Sequence, residues 1–317
     1  MAPERLLIDT DPGIDDALAI LLAMASPEVS LEGLSVCCGN CTAEAGYENA
    51  RRVLDLAHAG SIPVARGAAL PLIQPLVIAD ETHGPTGMGY AELPPSSRPH
   101  EQRHAVNLLV DTILASPGEM TLAAIAPLTN LALAIRTEPR IVPAIRRVIN
   151  MGGAIQFQGN TTPLAEFNVW VDPHAAHIVY HAGLTLSLVP LDVTYQCILT
   201  PKHVQHLLQF HSPISRFIED STRFYMEFHD AYQKIEGCAI NDPLALALVF
   251  QPDLVTWEDL YVDVDTNAGA SIGKTFADFY NYSHKEPNMR VAMKVRANDF
   301  LDLFVDRMET LCRQFPD

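Results

Sequence analysis

The chain has 317 residues, with 38 acidic against 21 basic side chains and a net charge of −17. Apolar residues make up 48% and charged residues 19%, which is too much core material for a disordered chain. The acidic balance repels phosphate backbones, which excludes nucleic acid as a partner, and it suits a site that gathers carboxylates around a cation. No apolar run reaches the roughly 18–20 residues that span a bilayer, the longest being residues 17–25. The N-terminal MAPERLLIDTDPG lacks the organisation of a signal peptide. A cytoplasmic protein with no membrane partner is expected.

Strand and helix alternate from the start. Residues 5–8 (RLLI) form a short apolar strand, and residues 15–25 (DDALAILLAMA) a strong helix former closed by Ser26-Pro27. Residues 31–38 read as the next strand. Thr42 can cap the helix through NARRVLDLAHA, with Gly60 as its stop. A strand at 62–65, a helix near 103–115 and a strand at 120–126 follow, and Pro127 suits the first turn of PLTNLALAI. Residues 148–151 form a buried strand, Asp172-Pro173 starts the helix DPHAAHIVYHA, and residues 184–189 return to strand. From about residue 200 to 251 the pattern is mostly helical. VTWEDLYVDVDT and MRVAMKVRA add strands, and a final amphipathic helix covers 298–315. This predicts one α/β domain over residues 1–317, with a mostly parallel sheet covered by helices and added strands toward the C-terminus. Ligands of such sheets bind at the carboxyl ends of the strands, where long loops at 67–75, 80–99 and 152–166 also fall.

The six cysteines form no paired CxxC ladder. A zinc site at Cys37, Cys38 and Cys41 needs further ligands, so buried free thiols are the plainer expectation. The densest signal is Asp9-Thr10-Asp11-Pro12-Gly13-Ile14-Asp15-Asp16, four carboxylates in eight residues on a strand-to-helix turn. Asp9 and Asp11 have the spacing that shares one face of a strand. Asp15 and Asp16 fall in a first helical turn, where negative charge is favoured even without a ligand. Four together, without Lys or Arg nearby, repel unless a cation neutralises them. Oxygen ligands suit Ca²⁺ or Mg²⁺ rather than zinc, and the spacing is not that of an EF-hand.

DTDPGIDDA resembles the N-terminal signature of the nucleoside hydrolases, Ca²⁺-dependent enzymes that cleave ribonucleosides into base and ribose. The likeness extends through Gly39-Asn40, THGPTGMG, Pro127-Leu128-Thr129-Asn130, Met151-Gly152-Gly153, AEFN at 165–168, Asp172-Pro173, Leu191-Asp192-Val193-Thr194 and Asp242. It implies that Asp11, Asp16 and Asp242, with the Ile125 carbonyl, hold Ca²⁺. It also implies that Asp15, Asn160, Glu166 and Asn168 bind ribose, with Met151 and Asn40 beside them and His83 at the site mouth. Asn160 on its own reads equally as a turn residue after Gly159. The family forms dimers or tetramers, so a homodimer or homotetramer is implied.

The chemistry that goes with this resemblance has Asp11 take the proton of an attacking water, because Ca²⁺ acidifies water less than zinc does. The glycosidic bond then breaks through an oxocarbenium-like state that the anionic ring stabilises. Many relatives carry His before the last calcium Asp, as the acid that protonates the base. This chain has Asn241, which hydrogen-bonds but cannot give up a proton. Tyr225, His229 and Tyr232 are the upstream alternatives, although His229 also fits an ordinary surface helix histidine. Two other readings stand beside the hydrolase. One is a catalytically impaired nucleoside- or ribose-binding protein of the same fold, and the other a phosphohydrolase using Asp9 and Asp11 as nucleophile and acid.

Overall fold

The computed structural model describes residues 2–316. The chain begins β1 (Glu4–Thr10), α1 (Ile14–Met24), β2 (Val29–Val36), α2 (Ala43–Leu56) and β3 (Val64–Arg66). A long loop carrying α3 (Asp80–His83) leads to α4 (Ala105–Ala115), β4 (Met120–Ala124), α5 (Thr129–Thr137), α6 (Ile141–Ala144) and β5 (Arg147–Met151). A second long loop precedes α7 (Phe167–Val171), α8 (Pro173–Tyr180), β6 (Leu186–Val189), α9 (Leu191–Thr194) and β7 (Ile198–Leu199). The helical stretch follows as α10 (Pro201–Leu208), α11 (Pro213–Gln233), the two-residue β8 (Cys238–Ala239) and α12 (Asn241–Ala247). Then come β9 (Val255–Leu260), β10 (Val262–Val264), β11 (Thr275–Ala277), β12 (Met289–Val295) and α13 (Ala297–Gln314).

Eight strands form the main sheet in the order β3-β2-β1-β4-β5-β6-β12-β9, and β9 alone runs antiparallel to its neighbour. Strands such as β4 and β6 are buried at every position, as a sheet covered on both faces requires. Helix α1 is apolar all round after its first turn and lies buried in the core beside α12. Two small ribbons, β10–β11 and β7–β8, stand outside the sheet. Strand β11 lies in a Gly- and Asn-rich stretch that offers no strand periodicity.

Local signals placed most elements. The Thr42 hydroxyl accepts from the Ala45 N–H at 3.3 Å to start α2, and Asp172 accepts from the Ala175 N–H at 3.0 Å to start α8. Two boundaries differ from expectation. Helix α2 ends at Leu56 because His58 enters the left-handed region (φ 49°), so Gly60 plays no part in stopping it. Helix α5 begins at Thr129 instead of including Pro127 in its first turn. All six cysteines are free and buried, and burial pushes the Cys37, Cys38 and Cys41 thiols up, which disfavours the thiolates a zinc site needs.

Candidate active site

The winding of the sheet reverses between β1 and β4, and the crevice outside their carboxyl ends is where such folds hold ligands. A pocket opens there. Its floor and one side are lined by Asp15, Asn40, Ile125, Met151, Asn160, Glu166, Asn168 and Asp242. Its other wall carries His83, Tyr225, Phe228, His229 and Asn241. Asp11 and Asp16 do not line the pocket but lie beneath it, fully buried. No Lys or Arg stands among the lining residues.

One carboxylate oxygen each from Asp15, Asp16 and Asp242 lies within 4.8 Å of the others. The local fold explains part of this. Asp16 is the third residue of α1 and accepts from the Gly13 N–H at 3.0 Å, so it caps the helix as well as facing the cluster. It also accepts from the Thr10 hydroxyl at 2.5 Å and from Asn40 Nδ2 at 2.8 Å. Asn40 donates its backbone N–H to Asp11 Oδ2 at 2.6 Å, while Asp11 Oδ1 is buried without a partner among the described residues. Gly39 is required here, because a Cβ would fall 1.9 Å from Asp11 Oδ2. The carboxyls of Asp11, Asp15, Asp16 and Asp242 are all raised above their usual range, first by burial and then, for Asp11, Asp16 and Asp242, by one another's charge. Crowded, oxygen-only and lacking a cationic side chain, this donor set fits a hard divalent cation.

Glu166, Asn160 and Asn168 are held by backbone groups. Glu166 accepts from Asn168 N–H at 2.8 Å, Gly153 N–H at 2.9 Å and Val169 N–H at 3.1 Å, capping α7. Asn168 Nδ2 donates to the Ile125 carbonyl at 3.0 Å, and Asn160 Oδ1 accepts from the Phe167 N–H at 2.9 Å. Asp192, which follows β6, accepts from three successive N–H groups at Ile155, Gln156 and Phe157 and anchors the loop that carries them.

The opposite wall is neutral. His83 Nδ1 accepts from the Ile14 N–H at 3.1 Å, and burial lowers its pKa to about 4. Its proton therefore sits on Nε2 at neutral pH. His229 is buried instead of lying on the surface. Its Nδ1 donates to the Tyr225 carbonyl at 2.8 Å, its Nε2 faces the Ala239 N–H at 3.4 Å, and burial lowers its pKa to about 4. Asn241 Nδ2 donates to Asp15 Oδ2 at 3.2 Å and to the Tyr225 hydroxyl at 3.3 Å, and among the described residues Asn241 Oδ1 is buried without a partner. The Tyr225 hydroxyl in turn faces Asp15 Oδ2 at 3.4 Å. Tyr232 is 68% exposed and outside the lining, which removes it from the groups able to serve the pocket.

Residues 6–302 match the family model described as inosine-uridine preferring nucleoside hydrolase. The chain belongs to that family. This makes it a hydrolase of the N-glycosidase type. It is 35% identical to the inosine-uridine preferring nucleoside hydrolase of Crithidia fasciculata and 37% identical to that of Leishmania major, over 98% of each chain. It is similar in structure to the purine-preferring ribonucleoside hydrolase from Gardnerella vaginalis, with a TM-score of 0.93 and 31% identity over 98% of this chain and 100% of that one.

Within this hydrolase, Asp9 has a role apart from the pocket. Its Oδ1 accepts from the Ser35 hydroxyl at 2.5 Å and Asn130 Nδ2 at 2.9 Å, and burial raises its pKa to about 7. That placement gives no support to a nucleophile at Asp9. Sequence reasoning did not single out Tyr195, Phe167 or Phe228 of the lining. A signal for Phe228 was present, since it follows Tyr225 by three residues on an amphipathic helix.

Proposed function

We propose that the chain, as one nucleoside hydrolase domain, hydrolyses the N-glycosidic bond of ribonucleosides with Ca²⁺ as its cofactor. The observation that carries this reading is the orphaned Asp11 Oδ1 beneath the buried cluster of Asp15, Asp16 and Asp242. Asp11, Asp16 and Asp242 would hold the ion with the Ile125 carbonyl, and Asp15 lies close enough to join them. When bound, Ca²⁺ supplies charge that keeps these carboxylates ionised, fixes the sugar hydroxyls and acidifies a water.

The chain's own residues do the rest. Asp11 takes the proton of the attacking water through its free oxygen. Asp15, Glu166, Asn160 and Asn168 grip the ribose hydroxyls, with Asn40 and Met151 beside them, and the carboxylates stabilise positive charge growing on the ring. On the base side, Asn241 uses Oδ1 to accept an N–H of the base while Nδ2 stays on Asp15 and Tyr225. His83, neutral at working pH, donates a hydrogen bond from Nε2 to the departing base, which takes its proton from solvent as Asp11 returns the water's proton there. His229 shapes the wall, since its nitrogens are engaged by backbone. Cytoplasmic nucleoside salvage or catabolism by a homodimer or homotetramer accompanies this reading, and size-exclusion chromatography with light scattering checks the assembly.

Reducing-sugar release from inosine, adenosine, guanosine, cytidine and uridine, with Ca²⁺ and with chelator, tests the proposal. Release that chelator abolishes and Ca²⁺ restores is the expected result. Ca²⁺-dependent nucleoside binding without release would instead mark an impaired binding protein, the loss traceable to Asn241.

A further inference from the structure

Away from the pocket, α8 and the β10–β11 ribbon bring three ligand-type side chains together. His177 and His181 stand one helical turn apart, with ring centroids at 4.4 Å. Asp263 of β10 meets them, Oδ1 lying 3.0 Å from His177 Nδ1 and Oδ2 3.6 Å from His181 Nε2. One ligand atom from each residue lies within 4.8 Å of the others.

The hydrogen bonding of His181 favours one tautomer. Its Nδ1 donates to the His177 carbonyl at 2.9 Å, so the neutral ring turns the Nε2 lone pair toward the carboxylate. Two acceptors then face each other unless a proton or a metal cation lies between them. An imidazole whose Nδ1–H is held by a backbone carbonyl, so that Nε2 faces the ion, is how metal-ligating histidines are usually oriented. The Tyr261 hydroxyl stands 3.2 Å from the same nitrogen, donates to Asp263 Oδ2 at 3.2 Å and accepts from Lys285 at 2.6 Å. Lys285 is exposed, so solvent screens its charge. At 48% and 32% side-chain exposure, the two histidines are open to an ion from solution.

We propose that His177 Nδ1, His181 Nε2 and one carboxylate oxygen of Asp263 bind a borderline divalent cation of the Zn²⁺ type, with water in the fourth position. Two imidazoles and one carboxylate favour such an ion over Ca²⁺, so this site differs in chemistry from the oxygen-only cluster. The ion ties α8 to the β10–β11 ribbon. That ribbon braces the pocket loop, because the Lys274 ammonium donates to the Ala154 carbonyl at 2.8 Å and the Ile155 carbonyl at 3.3 Å. Gly153 also packs against Thr275, where a Cβ would fall 2.9 Å from Oγ1. Zn²⁺ here would stiffen the support of the loop that carries Asn160 and Glu166 without touching the reacting groups.

The full chain, carrying no added histidines and saturated with Ca²⁺, is titrated with Zn²⁺ by calorimetry and with Co²⁺ as a visible probe. One saturable equivalent is expected, with Co²⁺ d–d bands that Zn²⁺ displaces and with slowed amide exchange over residues 262–277. His181→Gln and Asp263→Asn should each weaken binding by about a hundredfold, while their metal-free unfolding midpoints match the parent and show that they fold. Absence of saturation below about millimolar Zn²⁺, or variants that titrate like the parent, would overturn the proposal.

Discussion

The two sides of the pocket are built on opposite principles. The floor gathers buried carboxylates whose charges conflict and leaves Asp11 Oδ1 unpartnered. On the opposite wall the histidines are engaged by backbone groups and kept neutral, and the main open valence is Asn241 Oδ1. A floor of this kind is incomplete without a cation, whereas the wall is complete without one. In the proposed reading, chemistry that needs charge therefore belongs to the floor, and recognition of a neutral base to the wall.

The sharpest way to break this contrast is Asp11→Asn. With Asp11 as the proposed general base, its loss should lower kcat by about a thousandfold while nucleoside still binds, as single-turnover kinetics and equilibrium binding would show. A fall of less than tenfold would move the base elsewhere. On the wall, Asn241→Ala removes the proposed acceptor for the base and a donor to Asp15, and should cost about ten- to a hundredfold in kcat/KM. Asn241→His sharpens the same point, because an acid at that position should help the poorest leaving bases most. Tyr225→Phe removes one hydroxyl from the Asp15 network, and steady-state kinetics should show a loss of about tenfold.

The pH dependence of stability separates the two sides further. Burial raises the floor carboxyls above 3.8, so the ion-free folded chain binds more protons than the unfolded one. Their contribution to stability therefore falls as pH rises from that value. A cation binds the ionised form, so the rise in unfolding midpoint on adding Ca²⁺ should be small near pH 5 and larger near pH 8. An equal rise at both would contradict a carboxylate site. The smallest effect is expected on the wall, where His229→Phe should cost about 1–2 kcal/mol of stability. It should leave the pH–rate profile unchanged, because its pKa of about 4 keeps it neutral in the working range.

Much of the fold was legible in local pattern. Apolar strands followed by capped helices gave the βα alternation, and Thr42 and Asp172 cap the helices that their side chains and positions indicated. Most of the pocket lining was legible too, although through the resemblance of scattered short motifs more than through spacing. Tyr195 was not, since an aromatic residue at the end of a short helix reads as core until its neighbours are known. The fate of Asp9 and Asp11 was equally hidden. Asp9 lies within β1 and Asp11 just past its end, and they have different partners, Asp9 on Ser35 and Asn130, Asp11 on Asn40.

The sequence alone determined the acidic strand-to-helix turn, the alternation that makes a parallel sheet, and the absence of a His before Asp242. These depend on the period of apolar residues, on capping side chains and on residue identity, all read within a few positions. Tertiary structure decided which distant groups meet that turn. Asn241 reaches Asp15 across 226 residues because α12 packs beside α1, and Ile125 arrives because β4 pairs with β1. It also decided which nitrogen of His83 carries the proton and that His229 is buried and neutral. Such properties depend on partners and on burial, and a side chain acquires both only when remote segments pack around it.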